Sequence, residues 1–319
     1  MTQETLVSEK ETDVVVTRAR TLATDVVELT LTPVDDTLPT WTPGAHIDLL
    51  LGEDLVRQYS LCGSVADPSS YKVAVLLTPD TRGGSKAVHG LNEGQTLRIR
   101  GPRNHFPLVA SAHYIFVAGG IGITPMLPMI EEAEAKGVDW HLYYGGRTLG
   151  SMAYRDLLAA YGDKVTFVPQ DTDGILDLAS ILGSPRANTL VYTCGPEPLL
   201  AAVEDNCQSW GPQALHLERF AAKPRESEGE DTEFEIVLQR SGTTITVGAE
   251  ETAFDAMRAA GVQVLGSCLE GICGTCEQIV LEGEVDHRDS VLDEDEQEAN
   301  DCMMVCVSRA KSARLVLDA

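Results

Sequence analysis

Four cysteines constrain this chain more than any other feature. Cys268, Cys273 and Cys276 stand at C-x4-C-x2-C, and Cys306 follows after 29 intervening residues. Three thiolates from one tight loop and a fourth arriving from elsewhere is the spacing that holds a plant-type [2Fe-2S] cluster. Gly266, Gly271 and Gly274 are interleaved with them and give the loop the backbone freedom to converge its sulfurs. Two other readings compete. Buried free cysteines rarely fall at this spacing, and structural zinc prefers C-x2-C pairs at both ends, where only one is present. Cys302 also lies close to the fourth position, and only loop length favours Cys306.

The chain is long enough for two or three domains, at ~100–200 residues each. Its polar, acidic first 13 residues lack the apolar core of a signal peptide, and no run approaches ~18 apolar residues. A soluble, cytoplasmic protein is expected. Eight cysteines in such a chain argue for metal or redox chemistry over a disulfide scaffold. Acidic residues number 49 against 24 basic, a net charge of −25, and residues 226–319 hold 22 acidic and 6 basic. Nucleic acid and anionic membranes, which require cationic surfaces, are poor partners, and a basic protein fits better. Solubility, or adaptation to salt, explains the same charge equally well.

Residues 13–107 read as short strands: Val27-Glu28-Leu29-Thr30-Leu31-Thr32 alternates apolar with polar, and Lys72-Val73-Ala74-Val75-Leu76-Leu77 is another strand. Strands at this spacing predict an antiparallel barrel or sandwich. Beyond Pro107 the rhythm changes to strands at 113–118, 140–144 and 189–193 and helices at 125–136 and 197–207, the alternation of a parallel sheet with crossover helices. Residues 221–232 are polar and charged, as in a linker. A hairpin at 233–247 around Ser241-Gly242 and a short helix at 252–260 then precede the cysteine loop. The acidic run Asp293-Glu294-Asp295-Glu296 with Glu298 reads as a solvated loop outside this pattern.

Two regions suit nucleotide cofactors. Arg57-Gln58-Tyr59-Ser60 ends a strand, and Arg82-Gly83-Gly84-Ser85-Lys86 precedes a short helix, where exposed N–H groups and side-chain donors suit a terminal phosphate. As isolated strings they are equally an ordinary strand edge and a turn. Ala118-Gly119-Gly120-Ile121-Gly122-Ile123-Thr124-Pro125 joins a buried strand to a helix, with proline suited to the first helical turn. Cys194-Gly195-Pro196 repeats that arrangement after a later strand. Two such turns at the carboxyl ends of parallel strands favour nucleotide binding, although neither is a Gly-x-Gly-x-x-Gly fingerprint. Cys62, Cys194 and Cys207 are expected to be structural or flavin-pocket residues.

Taken in order, these segments, together with Glu218-Arg219-Phe220 and the C-terminal cysteines, resemble the phthalate dioxygenase reductase family, which includes vanillate O-demethylase reductases. The densest match runs from Gly283-Glu284-Val285-Asp286-His287-Arg288-Asp289 to Met304-Val305-Cys306-Val307-Ser308-Arg309-Ala310-Lys311-Ser312. The resemblance implies an FMN-binding antiparallel β-barrel over residues 1–108, an NADH-binding α/β domain with a parallel sheet over 109–222, a linker over 223–232, and a C-terminal α+β β-grasp ferredoxin over 233–319. The domain order favours FMN over FAD. Arg57, Tyr59 and Ser60 would line the isoalloxazine and ribityl chain, and Arg82, Gly84 and Ser85 would hold the FMN phosphate. Phe220 would cover the flavin where nicotinamide enters. Gly120, Thr124, Cys194, Gly195 and Pro196 would form the nicotinamide side, with Phe220, Cys194 and Thr124 nearest the hydride transfer. Arg147 and Asp171 are candidates for the adenosine half; Asp171 would accept from ribose hydroxyls and repel a 2′-phosphate, favouring NADH. Both residues serve equally well as surface charges.

The implied activity is that of an NADH-dependent reductase component. Electrons would pass through FMN and [2Fe-2S] to a Rieske-type aromatic oxygenase or O-demethylase, directly or through an intermediate carrier, with the chain acting as a monomer. An amine or betaine monooxygenase is the alternative acceptor. A redox-sensing module is the non-enzymatic reading, and it needs neither the flavin nor the nicotinamide segments.

Overall fold

The computed structural model describes residues 10–35, 37–52, 55–78, 83–223, 231–292 and 294–319. They fall into two compact units, one ending at Glu218 and the other beginning at Arg219. Arg82 lies outside the described residues, as do 224–230 of the expected linker and Asp293 of the acidic run.

The first unit opens with β1 (Glu11–Ala23), β2 (Val26–Pro33), β3 (His46–Leu50), β4 (Val56–Ser60), β5 (Tyr71–Leu76), helix α1 (Gly84–His89) and β6 (Thr96–Arg103). The sheet order is β4-β3-β6-β1-β2-β5, with every neighbouring pair antiparallel. Its end strands β4 and β5 approach one another, so the sheet curls into a barrel. Period-two residues supply the interior. Val14 and Val16, Leu29 and Leu31, Ile47 and Leu49, and Val73 and Val75 form a single cluster with Ile99 and are all buried. One position departs from the simple alternation. Glu28 shares the outward side of β2 with Thr30 and Thr32, yet it is only 3% exposed, because the following part of the unit covers it.

That part comprises β7 (His113–Gly119), a 3₁₀ turn (Gly120–Ile123), α2 (Met126–Ala135), β8 (Asp139–Gly146), α3 (Arg155–Ala159), β9 (Val165–Pro169), α4 (Gln170–Asp173), α5 (Leu178–Leu182), β10 (Thr189–Cys194), α6 (Glu197–Cys207) and β11 (Leu215–Glu218). All its strands are parallel, in the order β11-β10-β7-β8-β9. Alternate residues of β7 face opposite layers: Phe116 packs with Met126, Met129 and Ile130 of α2, while Ile115 and Val117 pack with Leu178, Leu182 and Val203. The first of these clusters continues into Val26, Cys62, Ala74 and Phe106, so barrel and parallel sheet share a core. The expected proline-led helix starts with the 3₁₀ turn, and Pro125 caps α2 from just outside it.

The second unit contains β12 (Phe234–Leu238), β13 (Thr243–Val247), α7 (Ala253–Ala259), β14 (Glu277–Glu282), β15 (Val285–Asp286), α8 (Glu294–Ala299), β16 (Cys302–Met304), β17 (Arg309–Ala310) and β18 (Arg314–Leu317). Its main sheet runs β13-β12-β18-β14-β16, with β12 and β18 parallel. Phe254 and Met257 of α7 pack with Ile236, Leu238, Leu315 and Leu317, a helix grasped by a mixed sheet. Buried Arg309 ties the entry of this unit together, donating to the carbonyls of Thr232, Gly248 and Glu251 at 2.7–3.0 Å. The acidic run differs from expectation. Glu294–Ala299 is helical, consistent with glutamate, glutamine and alanine as helix formers and with acidic groups favoured in a first turn.

Candidate functional site

In the parallel sheet, β7 is central: β8 and β9 extend to one side, β10 and β11 to the other. The gap between the loops leaving β7 and β10 is therefore the switch point where open α/β sheets bind ligands. Both glycine turns meet there. A Cβ on Gly122 would fall 2.2 Å from the carbonyl oxygen of Cys194, and one on Gly119 would fall 2.7 Å from Pro196 Cδ. Gly195 lies against Gly119, where a Cβ would be 3.0 Å from its Cα. Gly120 has a different requirement: its φ is +54° and the space where a side chain would project is open. Thr124, almost fully buried, donates from its hydroxyl to the Ile121 carbonyl at 3.0 Å and so closes the 3₁₀ turn. Tyr144 Oη donates to the Gly120 carbonyl at 3.0 Å.

Arg147 and Asp171, distant in sequence, follow the ends of β8 and β9. The Asp171 N–H donates to the Arg147 carbonyl at 3.1 Å, and both side chains are exposed. The sheet thus brings these two residues together on its carboxyl edge.

On the barrel, Arg57, Tyr59 and Ser60 all lie on β4. The Arg57 side chain crosses the start of α1, where a Cβ on Gly84 would fall 2.4 Å from Arg57 Cγ. Ser85 Oγ accepts from the Thr78 N–H at 3.3 Å, fixing α1 to the end of β5. Arg57, Gly84 and Ser85 therefore share one corner, with a glycine that the arginine requires. Burial pushes the Tyr59 hydroxyl up to about 12, against the opposing effect of Arg57.

Glu218 is a site residue that sequence reasoning passed over. It is paired with Cys194 across β10 and β11, and Ser60 Oγ donates to its Oε2 at 3.5 Å. Ser60, Cys194 and Glu218, from three distant segments, thus converge between barrel and sheet. Burial lifts the Glu218 carboxyl to about 8, with Ser60 pulling the other way. Burial, with Glu218 beside it, raises the Cys194 thiol well above its usual range, so Cys194 is present as the neutral thiol. The only sequence signal for Glu218 was its place in Glu218-Arg219-Phe220. Phe220 belongs to the second unit and is 40% exposed.

In the second unit, the cysteine side chains form a row of sulfur contacts in which Cys273 meets Cys268, Cys268 meets Cys306, and Cys306 meets Cys276. Cys302 lies outside it on β16, its thiol beside Glu277 and Asp301. Backbone N–H groups turn toward the row: that of Glu270 donates to Cys268 Sγ at 3.3 Å, joined by that of Ile272, and that of Gly271 reaches Cys306. Such donors favour sulfur-borne negative charge. Among the described residues no group of three or more His, Cys, Asp and Glu side chains is placed to hold a metal ion. A two-iron cluster spreads its thiolates over two metals, and a row of four sulfurs with inward N–H groups fits that demand. Gly271 and Gly274 have φ of +68° and +71°, as the tight loop requires. Gly266 is needed for space, since a Cβ there would fall 2.5 Å from the Phe254 ring.

Residues 236–311 match the 2Fe-2S iron-sulfur cluster binding domain, and 116–205 the oxidoreductase NAD-binding domain. The chain is 42% identical over 289 residues to the phenoxybenzoate dioxygenase subunit beta of Ectopseudomonas oleovorans, covering 90% of each chain. It is 39% identical to the vanillate O-demethylase oxidoreductase of Pseudomonas sp. strain HR199, covering 96% of this chain and 99% of that one. Identity is also 39% to the carnitine monooxygenase reductase subunit of Escherichia coli K12, covering 96% and 98%. Among solved structures, an intact type IV self-sufficient cytochrome P450 monooxygenase is similar over all of this chain (TM-score 0.90, 41% identity), although the chain spans only 43% of it. Phthalate dioxygenase reductase, described as a modular structure for electron transfer from pyridine nucleotides to [2Fe-2S], is similar end to end, with a TM-score of 0.71, 35% identity, and coverage of 97% and 98%. With relatives this similar over nearly its full length, the chain belongs to the phthalate dioxygenase reductase family.

Proposed function

We propose that this chain is the NADH-dependent reductase component of an oxygenase system, binding FMN in a barrel domain (1–108), NADH in an α/β domain (109–222) and a [2Fe-2S] cluster in a ferredoxin domain (233–319) joined by a linker (223–232). The observation that carries this reading is the meeting of Ser60, at the end of the flavin-side strand, with Cys194 and Glu218, at the ends of two nucleotide-side strands. A bound flavin would divide a two-electron hydride into single electrons, which a two-iron cluster accepts one at a time.

The residues of the chain bind, orient and exclude. Arg82, Gly84 and Ser85 hold the FMN phosphate, while Arg57, Tyr59 and Ser60 line the isoalloxazine and ribityl chain. Gly120, Thr124, Cys194, Gly195 and Pro196 form the nicotinamide cradle; the glycines let the dinucleotide approach the backbone. The neutral Cys194 thiol and the protonated Glu218 carboxyl present no negative charge to an arriving hydride. Phe220 covers the flavin where nicotinamide enters. Arg147 and Asp171 take the adenosine half, and the carboxylate of Asp171 disfavours a 2′-phosphate. Cys268, Cys273, Cys276 and Cys306 ligate the cluster, their N–H partners lowering the cost of its charge. No side chain is required as acid, base or nucleophile.

The acceptor is a Rieske-type aromatic oxygenase or O-demethylase, reached directly or through a carrier, and the chain works as a cytoplasmic monomer. Among the described residues no helix is long and apolar enough to cross a membrane. Similarity to carnitine monooxygenase reductase subunits favours an amine or betaine monooxygenase as the second acceptor, and similarity to the P450 favours a cytochrome P450 monooxygenase as a third. The test is NADH-driven reduction of cytochrome c by the reconstituted protein. Cys306→Ala is expected to abolish it while leaving bleaching of the flavin band by NADH intact, and Cys302→Ala is expected to leave both unchanged. Loss of cytochrome c reduction in Cys302→Ala, with retention in Cys306→Ala, would overturn the ligand assignment. No NADH oxidation by the fully reconstituted chain would overturn the function.

A further inference from the structure

The segment between β8 and α3, residues 147–154, begins with Arg147 and ends with Tyr154, and it is gripped along its length. At its start, Met152 folds back onto Gly146, where a Cβ would fall 2.4 Å from Met152 Cγ. In its middle, Thr148 and Ser151 exchange side-chain and backbone hydrogen bonds in a capping box. Two further contacts tie it to the barrel. The Thr24 N–H, in the turn between β1 and β2, donates to the Gly150 carbonyl at 2.9 Å. The Tyr154 hydroxyl donates to Glu28 Oε2 on β2 at 2.7 Å and lies 3.1 Å from Cys62 Sγ.

Glu28 is the buried member of the outward side of β2. Its Oε1 accepts from Arg20 Nε at 2.7 Å and its Oε2 from the other guanidinium arm at 3.3 Å. Tyr154 completes that carboxylate's shell from the sheet side. A buried carboxylate deprived of a donor is costly, so the contact selects one position of the segment. Tyr154 is itself 9% exposed and has φ of +59°, a left-handed conformation that bulky residues keep only where their surroundings impose it. Cys62 follows Ser60 by two residues, so the same hydroxyl touches the chain leaving the flavin-side strand.

We propose that Tyr154 is a positioning residue for the dinucleotide. By fastening residues 147–154 to β2 through Glu28, it holds Arg147, and with it the Asp171 turn, in place for the adenosine half of NADH. The inference rests on the reading of Arg147 and Asp171 as adenosine contacts. A segment held in its bound position before the ligand arrives avoids the ordering cost of binding, and that advantage falls on the adenosine half alone.

Tyr154→Phe keeps the ring and removes the hydroxyl. In the FMN- and cluster-loaded full chain, ADP-ribose, which keeps the adenosine half and lacks the nicotinamide, is titrated by calorimetry. Its Kd is expected to rise about tenfold, as for one hydrogen bond to a charged group. The KM for reduced nicotinamide mononucleotide, which lacks the adenosine, is expected to stay unchanged, and amide exchange is expected to quicken across residues 147–154. Unchanged ADP-ribose affinity, or equal weakening of both ligands, overturns the proposal. If Tyr154→Phe does not fold, Glu28→Gln, which keeps an acceptor of the same shape, must show a smaller weakening confined to ADP-ribose. Arg147→Ala separates the proposal from the reading beneath it. If ADP-ribose affinity survives Arg147→Ala, the adenosine assignment fails. If Arg147→Ala weakens ADP-ribose and Tyr154→Phe does not, only the positioning role fails.

Discussion

Glu218 allows a stability prediction with a definite sign. Its carboxyl rises from an ordinary 4.5 to about 8, chiefly through burial. The folded chain therefore keeps this proton at pH values where the unfolded chain has released it. Between pH 4.5 and 8 unfolding releases the proton, so the contribution of Glu218 to stability falls as pH rises through that window and stays lost above it. At ~1.36 kcal/mol per pH unit, the interval corresponds to about 5 kcal/mol. The residue is partly rather than fully buried, so solvent screens the carboxylate, and about half of that, ~2.5 kcal/mol, is expected. Glu218→Gln removes the ionisation while keeping an acceptor for Ser60. Its melting temperature should match that of the parent near pH 5 and exceed it by about 5–10 °C at pH 9, at ~2–4 °C per kcal/mol for a unit of this size. Scanning calorimetry of both proteins at matched FMN occupancy from pH 5 to 9 measures the divergence. Parallel curves across that range would refute the upward displacement of the Glu218 ionisation by burial.

Other substitutions probe the nucleotide end. Gly122→Ala places a methyl 2.2 Å from the Cys194 carbonyl oxygen, a backbone atom that cannot swing aside, and should cost about 3 kcal/mol in urea unfolding. Gly120→Ala meets open space and carries only the strain of its φ of +54°, about 1–2 kcal/mol; equal losses in the two variants would disprove the meeting of the two turns. Asp171→Ser removes the carboxylate from the turn whose backbone bonds to that of Arg147 and should raise kcat/KM for NADPH relative to NADH about tenfold in steady-state assays, whereas an unchanged ratio would return Asp171 to the ordinary surface.

What the sequence revealed and what it concealed divide along the range of the interactions. The strands of the barrel and parallel sheet follow from local alternation and apolar runs, and β2, β7, β10 and β12 all lie where those patterns place them. The helical state of Glu294–Ala299 was equally local, but the density of charge drew the reading toward solvent and away from the helix propensity of the same residues. Glu28 shows the opposite case: its alternation marks it as outward, and nothing within β2 shows that Tyr154, 126 residues later, will cover it. Glu218 is hidden in the same way. Its environment depends on a register with Cys194 and on Ser60, 158 residues earlier.

This dependence on range explains why spacing alone pointed to the cysteines while the hydride site required the fold. Metal ligands must approach one another within a few ångströms, and a loop achieves that with closely spaced residues whose pattern survives in the linear order. A hydride site must instead bring two large cofactors face to face, so its residues come from the ends of strands in different layers, and those strand ends can be far apart in the chain. Ser60, Cys194 and Glu218 satisfy the second demand. They have no spacing that could be recognised in the sequence, and they become neighbours only when barrel and parallel sheet close on their shared core of Cys62, Phe106 and Tyr192. A change that loosens that core without touching any of the three should therefore impair NADH oxidation before it impairs the cluster.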